Sequence, residues 1–335
     1  MRLVSIKSLK KGEALAYPIR SQDGRILLSG NSVLTDKHLD NLIKFKINSV
    51  YIEDEFNSDI EISPAVSDDT KTEALVTIAK FYKEFEKGKG LNDTAIKAAA
   101  RNITEEVLRN IRAPINLFNV YSIDDKKHLH ALNTAIITAA ISYYSEVPVQ
   151  RMIDFVTAAL LHDIALKDID TDKEDKDHMI EGAEKLKNSR MFSAIITSSI
   201  ALHHEHFDGT GRPKKMSGED IFLGARIIAV ADQFDNLVYG MGSKPLPAHH
   251  AVEYLHMLSG KELDPHLLTV FSKSVAIYPT GATVVLNNGH RAVVVRQNES
   301  MPSRPTIRLL MPERENCLEF NLVTNPTIFI DSVEL

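Results

Sequence analysis

Imidazoles and carboxylates interrupt the most apolar helical stretches of this chain, and no other feature constrains its fold as much. VTAALLHD ends in His162-Asp163, AIITSSIAL runs into His203-His204, ARIIAVADQF carries Asp232, and His130 opens LNTAIITAAI with Asn133 one turn on. A buried charge is costly unless it is paired or metal-bound, so helices of this kind must turn these positions toward one another. Seven of the 13 histidines, His128, His130, His162, His178, His203, His204 and His206, lie between residues 128 and 206, where even spreading would place about three. Taken singly, a histidine on an apolar face is more often a core residue bonded to a carbonyl. The ordered set argues otherwise, because independent core histidines have no reason to accompany buried aspartates.

Composition narrows the donor set. The one cysteine, Cys317, forms no internal disulfide, and no Cys/His finger spacing occurs. Any metal must rest on imidazole and carboxylate, which suit Fe, Mn, Zn, Ni or Co and lean away from structural zinc. Acidic residues outnumber basic ones, 45 to 39, for a net charge of −6. That balance argues against a nucleic-acid polymer as partner. The chain has no apolar run of ~18 residues and no signal-peptide h-region at its start, so no membrane partner and a cytoplasmic location are expected.

Periodicity divides the 335 residues. Residues 1–53 read as a small α+β module, with short strands and a helix over TDKHLDNLIKFK capped by Thr35 or Asp36. Residues 54–70 are acidic, aperiodic and interrupted by Pro64, as in a linker. From 71 to 277 nearly every segment has helical spacing. From 278 to 335 β-branched runs around Asn-Asn-Gly predict a hairpin within a small β module. The fold class is thus mainly α, a helical core between two small modules. The stripe Leu75, Ile78, Tyr82 and Phe85 fits a dimer seam or packing on the next helix, and a homodimer through this helix is expected. Lys214-Lys215 and the glycine-rich Tyr239–Ser243 read as surface turn and loop.

Across residues 125–275, His130 with Asn133, HD at 162–163, HMIEG from His178, HHEHFDGTGRP from His203 and ARIIAVADQFDNL around Asp232 together resemble the HD-GYP family. Its members are bacterial phosphodiesterases of cyclic di-GMP within the HD superfamily. The resemblance implies an HD-type helical core and a binuclear centre. One metal would take His130, His162, Asp163 and Asp232. The other would take His178, His203 and His204 with Asp163 as bridge, and the family's nucleophile is a water or hydroxide between the ions. Two divalent transition metals are expected, iron first and manganese next. Lys126 occupies the position of a glutamate that holds a third metal in some members.

The departures lie outside the ligands. The family's HDxGK lysine falls on Leu166, with Ala165 in place of glycine and Lys167 next door. GYP has become Gly211-Arg212-Pro213, and a guanidinium is a permanently charged fork suited to phosphate. Asp208, Gly209 and Gly211 match the family, and glycine there would let backbone approach a ligand. Downstream, Met241 stands for an arginine, while Lys244 keeps a lysine. The expected function is hydrolysis of a cyclic dinucleotide, with Asp163, Lys167 and Arg212 in the chemistry and Asp208, Gly209, Gly211, Arg212 and Lys244 on the substrate. The rival is a metal-bearing receptor of the dinucleotide that signals to protein partners with negligible turnover.

Overall fold

The structure is a computed structural model that describes residues 1–20, 25–45, 47, 49–54, 57–60, 62, 64–88, 90–110, 114–115, 126–167, 177–240, 244–310 and 318–334. Met241 and Cys317 lie outside the described residues. The chain forms two compact units. One takes residues 1–64, 112–125 and 275–335, and the other takes 65–111 and 126–274. The expected N-terminal module, residues 1–53, and C-terminal module, residues 278–335, both fall within the first unit.

In that first unit β1 (Arg2–Ser5) pairs antiparallel with β4 (Ser49–Ile52), and β2 (Ile19–Arg20) with β3 (Ile26–Leu28). Helix α1 (Asp36–Lys44) starts at Thr35, whose hydroxyl accepts from the His38 amide, so Thr35 rather than Asp36 is the cap. Leu42 packs with Val4, Leu15, Leu34 and Val50 in one apolar cluster. Strands β5 (Thr283–Leu286), β6 (Arg291–Arg296), β7 (Thr306–Leu309), β8 (Glu319–Asn321) and β9 (Ile330–Glu334) make an antiparallel sheet in the order β8-β7-β6-β5-β9. The β5–β6 hairpin turns at Asn287-Asn288-Gly289, where Gly289 adopts φ +81°.

Part of the segment expected as linker is built into this unit. Ile60 is buried against Val293 and Val295, and Asp59 receives both terminal nitrogens of Arg308 at 2.7 and 2.5 Å. Arg308 also reaches Glu319 at 2.6 Å. An irregular strap has no period to read, yet apolar contacts and a forked ion pair dock it, and Asp54 adds a bond to Arg2 at 3.1 Å. Residues 68–70, also assigned to the linker, are the first turn of α2 (Asp68–Glu86), capped by Ser67.

The second unit continues through α3 (Asp93–Asn110), α4 (Lys126–Tyr144), α5 (Val149–Leu161), α6 (His178–Asn188), α7 (Ala194–Ala201), α8 (Leu223–Tyr239), α9 (Ala248–Met257) and α10 (Pro265–Ser274). Helix α4 is buried at every residue from Leu129 to Ser142. A helix apolar on all sides needs partners on all sides, and α2, α3, α5, α8 and α10 supply them. Gly224 lets α8 approach closely, since a Cβ there would meet Ser199 Oγ at 2.3 Å and Phe155 Cδ1 at 2.7 Å.

The stripe Leu75, Ile78, Tyr82 and Phe85 is buried within this unit, and Tyr82 Oη donates to the Leu160 carbonyl at 3.1 Å. It is spent on packing inside the chain. The expected dimer seam is therefore not available on this stripe. No helix among the described residues is long and apolar enough to cross a membrane.

Candidate metal centre

Five helices deliver the seven expected ligands, three by ending or beginning at the site and two from within their length. Helix α5 stays apolar to Leu161 and stops there, leaving His162 as its C-cap and Asp163 next. His178 is the first residue of α6, and His203-His204 follow the last turn of α7. His130 and Asp232 project from within the buried helices α4 and α8. His130, His162, Asp163, His178, His203 and Asp232 are buried, and His204 is half-buried.

Their ligating atoms converge in two overlapping groups. His130 Nε2 lies 3.1 Å from His162 Nε2 and 3.0 Å from Asp232 Oδ1. His178 Nε2 lies 3.3 Å from His204 Nε2. Asp163 stands between them. Its Oδ2 faces His162 Nε2 at 3.3 Å and His130 Nε2 at 3.7 Å, while its Oδ1 faces His178 Nε2 at 3.1 Å and His203 Nε2 at 3.7 Å. One carboxylate thus offers one oxygen to each group.

The tautomers follow from the far nitrogens. Nδ1 of His162 donates to the Ala159 carbonyl at 2.8 Å, Nδ1 of His203 to the Ile200 carbonyl at 2.7 Å, and Nδ1 of His130 to Asp235 Oδ2 at 2.7 Å. With those protons placed on Nδ1, each neutral ring turns a bare Nε2 lone pair toward the others and toward two carboxylates. Such an array repels itself unless a cation lies within it. The buried His203 Nε2 has no hydrogen-bond partner among the described residues, as expected of a donor atom waiting for a metal. The donor set therefore fits divalent transition-metal ions.

Without a cation the same charges are met by protons. Burial opposes a charged His130, but the Asp232 and Asp235 carboxylates outweigh it and hold this ring up at about 9. His162 is raised well above its ordinary value, with burial overcome chiefly by Asp163. Asp163 is held well below the usual carboxylate range, burial being outweighed by His162 first. Burial, then His203, pushes His204 well down.

Two buried acids that sequence reasoning did not single out support the centre. Asp235 lies one turn beyond Asp232 and anchors His130; its only sequence signal is that i, i+3 spacing on an apolar helix. Glu205, buried between His204 and His206, accepts the backbone amides of Lys214 at 2.6 Å and Met216 at 3.0 Å. It folds the 205–216 loop back on the histidine pair. Asn133 lies beside Asp235. Asp232 pairs with His130 and not with Arg226, which bonds Asp264 at 2.6 Å.

The expected substrate residues divide. Arg212 is half-buried, and its amide donates to the His204 carbonyl at 3.0 Å, which sets it at the rim of the centre. Asp208 is exposed and accepts from the Thr210 amide and hydroxyl, shaping its own turn with Gly209 at φ +83°. Gly211 is demanded by the chain itself, because a Cβ would lie 2.0 Å from the His206 amide nitrogen. That packing is a reason for glycine here beside the expected approach of a ligand. Lys167 and Lys244 are exposed, and the Leu166 side chain is buried. The Leu166 carbonyl accepts from Lys127 Nζ.

Comparison with known proteins bears on this arrangement. Residues 169–267 match the HD domain family, and residues 283–334 match the KOW domain associated with HD domains. The cyclic di-GMP phosphodiesterase PA4108 of Pseudomonas aeruginosa is 27% identical over 255 residues, 72% of this chain and 61% of that protein. The cyclic di-GMP phosphodiesterase PdeB of Borreliella burgdorferi is 24% identical over 211 residues, 59% of this chain and 56% of that one. The chain spans about three fifths of the length of these relatives. In fold it resembles Bd1817, an HDG"Y"P protein from Bdellovibrio bacteriovorus, with a TM-score of 0.50 at 20% identity over 80% of this chain and 97% of that one. The chain is thus similar to HD-domain proteins over residues 169–267 and to cyclic di-GMP phosphodiesterases over a longer stretch, and Arg212 stands where the HD-GYP signature has its tyrosine.

Proposed function

We propose that this chain is a metal-dependent phosphodiesterase that hydrolyses a cyclic dinucleotide, cyclic di-GMP first. The observation that carries the reading is Asp163, whose two oxygens face two separate sets of imidazoles. That is the arrangement a bridging carboxylate needs to hold two ions. His130, His162, Asp163 and Asp232 would hold one, and Asp163, His178, His203 and His204 the other, with iron the foremost metal and manganese next. When bound, a pair of divalent ions supplies a water of lowered pKa and neutralises the oxyanions of an in-line displacement at phosphorus.

The protein's own contribution is placement. Carbonyls behind His162 and His203 and the carboxylate behind His130 fix three rings so that their Nε2 atoms stay aimed inward. Glu205 and the Arg212 amide hold the loop so that the Arg212 guanidinium can meet a phosphate at the rim. Leu166, being buried, brings no charge to that phosphate, so Arg212, Lys167 and Lys244 are the cations assigned to the substrate. The unit of residues 65–111 and 126–274 carries the reaction. A cyclic dinucleotide substrate places it in the cytoplasm, with signalling proteins rather than nucleic-acid polymers as partners.

The test is direct. Protein loaded anaerobically with Fe(II) or Mn(II) should convert cyclic di-GMP to the linear dinucleotide or GMP, and Asp163→Ala should not. Binding of the dinucleotide with no product over hours, at full metal content, would refute the phosphodiesterase reading and indicate a receptor.

A further inference from the structure

The two halves of the centre are built differently. His130, His162 and Asp232 form a wholly buried group that shares Asp163 Oδ2, so it holds two carboxylates. His178, His203 and His204 form a group whose only carboxylate among the described residues is the shared one, through Oδ1, and His204 is half-buried. The supports behind the rings differ as well. Backbone carbonyls stand behind His162 and His203, whereas the buried Asp235 carboxylate stands 2.7 Å behind His130. A carboxylate in that place locks the ring's orientation and strengthens the opposite nitrogen as a donor more than a neutral carbonyl does. It also adds a third negative group to the half that already has two.

We propose that Asp235 makes the His130 half the tighter of the two metal positions, so that divalent ions load there first and leave first from the His178 half. This rests on the two-ion reading above. Asp235 is a positioning residue that acts through His130 and touches neither ion nor substrate. The more exposed, imidazole-rich position is then the exchangeable one, and a chain holding a single ion holds it between His130, His162, Asp163 and Asp232.

Stepwise chelation of the Mn(II)-loaded protein, followed by elemental analysis after desalting, tests the order. Release in two steps is expected, with a stable intermediate of one ion per chain. His178→Ala should keep that one tightly held ion, and His130→Ala should keep only the weakly held one. Asp235→Ala should weaken the tight step by about 10–100-fold and leave the weak step unchanged. Asp235→Asn, which keeps an acceptor for the ring but not the charge, should fall between and serves as the check where the alanine variant folds poorly. Release of both ions in one step, loss of the tight ion in His178→Ala, or equal weakening of both steps by Asp235→Ala would overturn the inference. Failure of the native protein to bind two ions at all would instead overturn the two-ion reading itself.

Discussion

Stripping the metals should leave a protein whose stability falls as the solution becomes alkaline. With no cation present, the buried Asp163 and Asp232 carboxylates depend on protons carried by His130 and His162. Burial opposes that proton on His130, but Asp232 and Asp235 outweigh it and raise the ring from 6.5 to about 9. The folded pKa lies above the unfolded one, so the stabilisation is complete below 6.5 and is lost as pH rises through about 9. At about 1.36 kcal/mol per pH unit across that window, His130 alone contributes on the order of 3 kcal/mol. His162 shifts in the same direction and acts in the same sense. For a unit of this size that corresponds to roughly 6–12 °C in Tm. Thermal unfolding of chelated protein at intervals from pH 6 to 10 should show the decline. The metal-loaded protein should be nearly flat over the same range, because ions have replaced the protons. A chelated protein whose Tm is level or rising between pH 6.5 and 9 would refute the reasoning.

Other expectations concern single residues. Asp163→Ala removes the one group shared by both halves, and elemental analysis should find at most one ion per chain against two expected in the native protein. Gly211→Ala would drive a Cβ into the His206 amide and open the loop that carries Arg212; a titration should show weakened cyclic di-GMP binding at unchanged metal content. Leu166→Lys places an ammonium at a buried position, so alone it should lower Tm. Combined with Ala165→Gly to let the segment re-aim, it should raise turnover by about 10²–10³-fold if a cation near the phosphate is what the native site lacks. In light scattering at tens of micromolar, a dimer that persists after Tyr82→Ala would use a surface other than the stripe on α2.

The helical unit was legible because its helices are amphipathic or wholly apolar, and burial leaves a period in either case. Thr35 as a cap and the Asn-Asn-Gly hairpin were legible because backbone geometry at those points favours few residue types. What escaped was non-local. Nothing in residues 1–64 says that they share a unit with residues 275–335, and the docking of the strap includes Ile60 and the Asp59–Arg308 pair, 249 positions apart. The Leu75–Phe85 stripe has the same spacing whether its partner is another chain or the neighbouring helices α3 and α4, and only the burial of the stripe within the chain decides between them.

The site shows the same division at closer range. A histidine or aspartate embedded in apolar helix is conspicuous because its burial is expensive, and that cost singles out His130, His162, Asp163, His203 and Asp232, whereas His178 and His204 enter the expected ligand set through the family resemblance. Asp235 is as deeply buried as Asp232, on the same helix, yet the sequence does not say which of the two faces a ring's Nε2 and which its Nδ1. That distinction depends on the rotation of one imidazole on α4. It turns one aspartate into a candidate ligand and the other into the support for a ligand. Glu205 escaped for the opposite reason, since a glutamate between two histidines in a polar stretch carries no apparent cost. Its two amide partners, nine and eleven residues downstream, appear only once the loop has folded back over it. Residues that touch a metal announce themselves by the penalty of burying them, whereas residues that aim the first group are defined by orientation. The relative affinity of the two halves therefore has to be read from the structure.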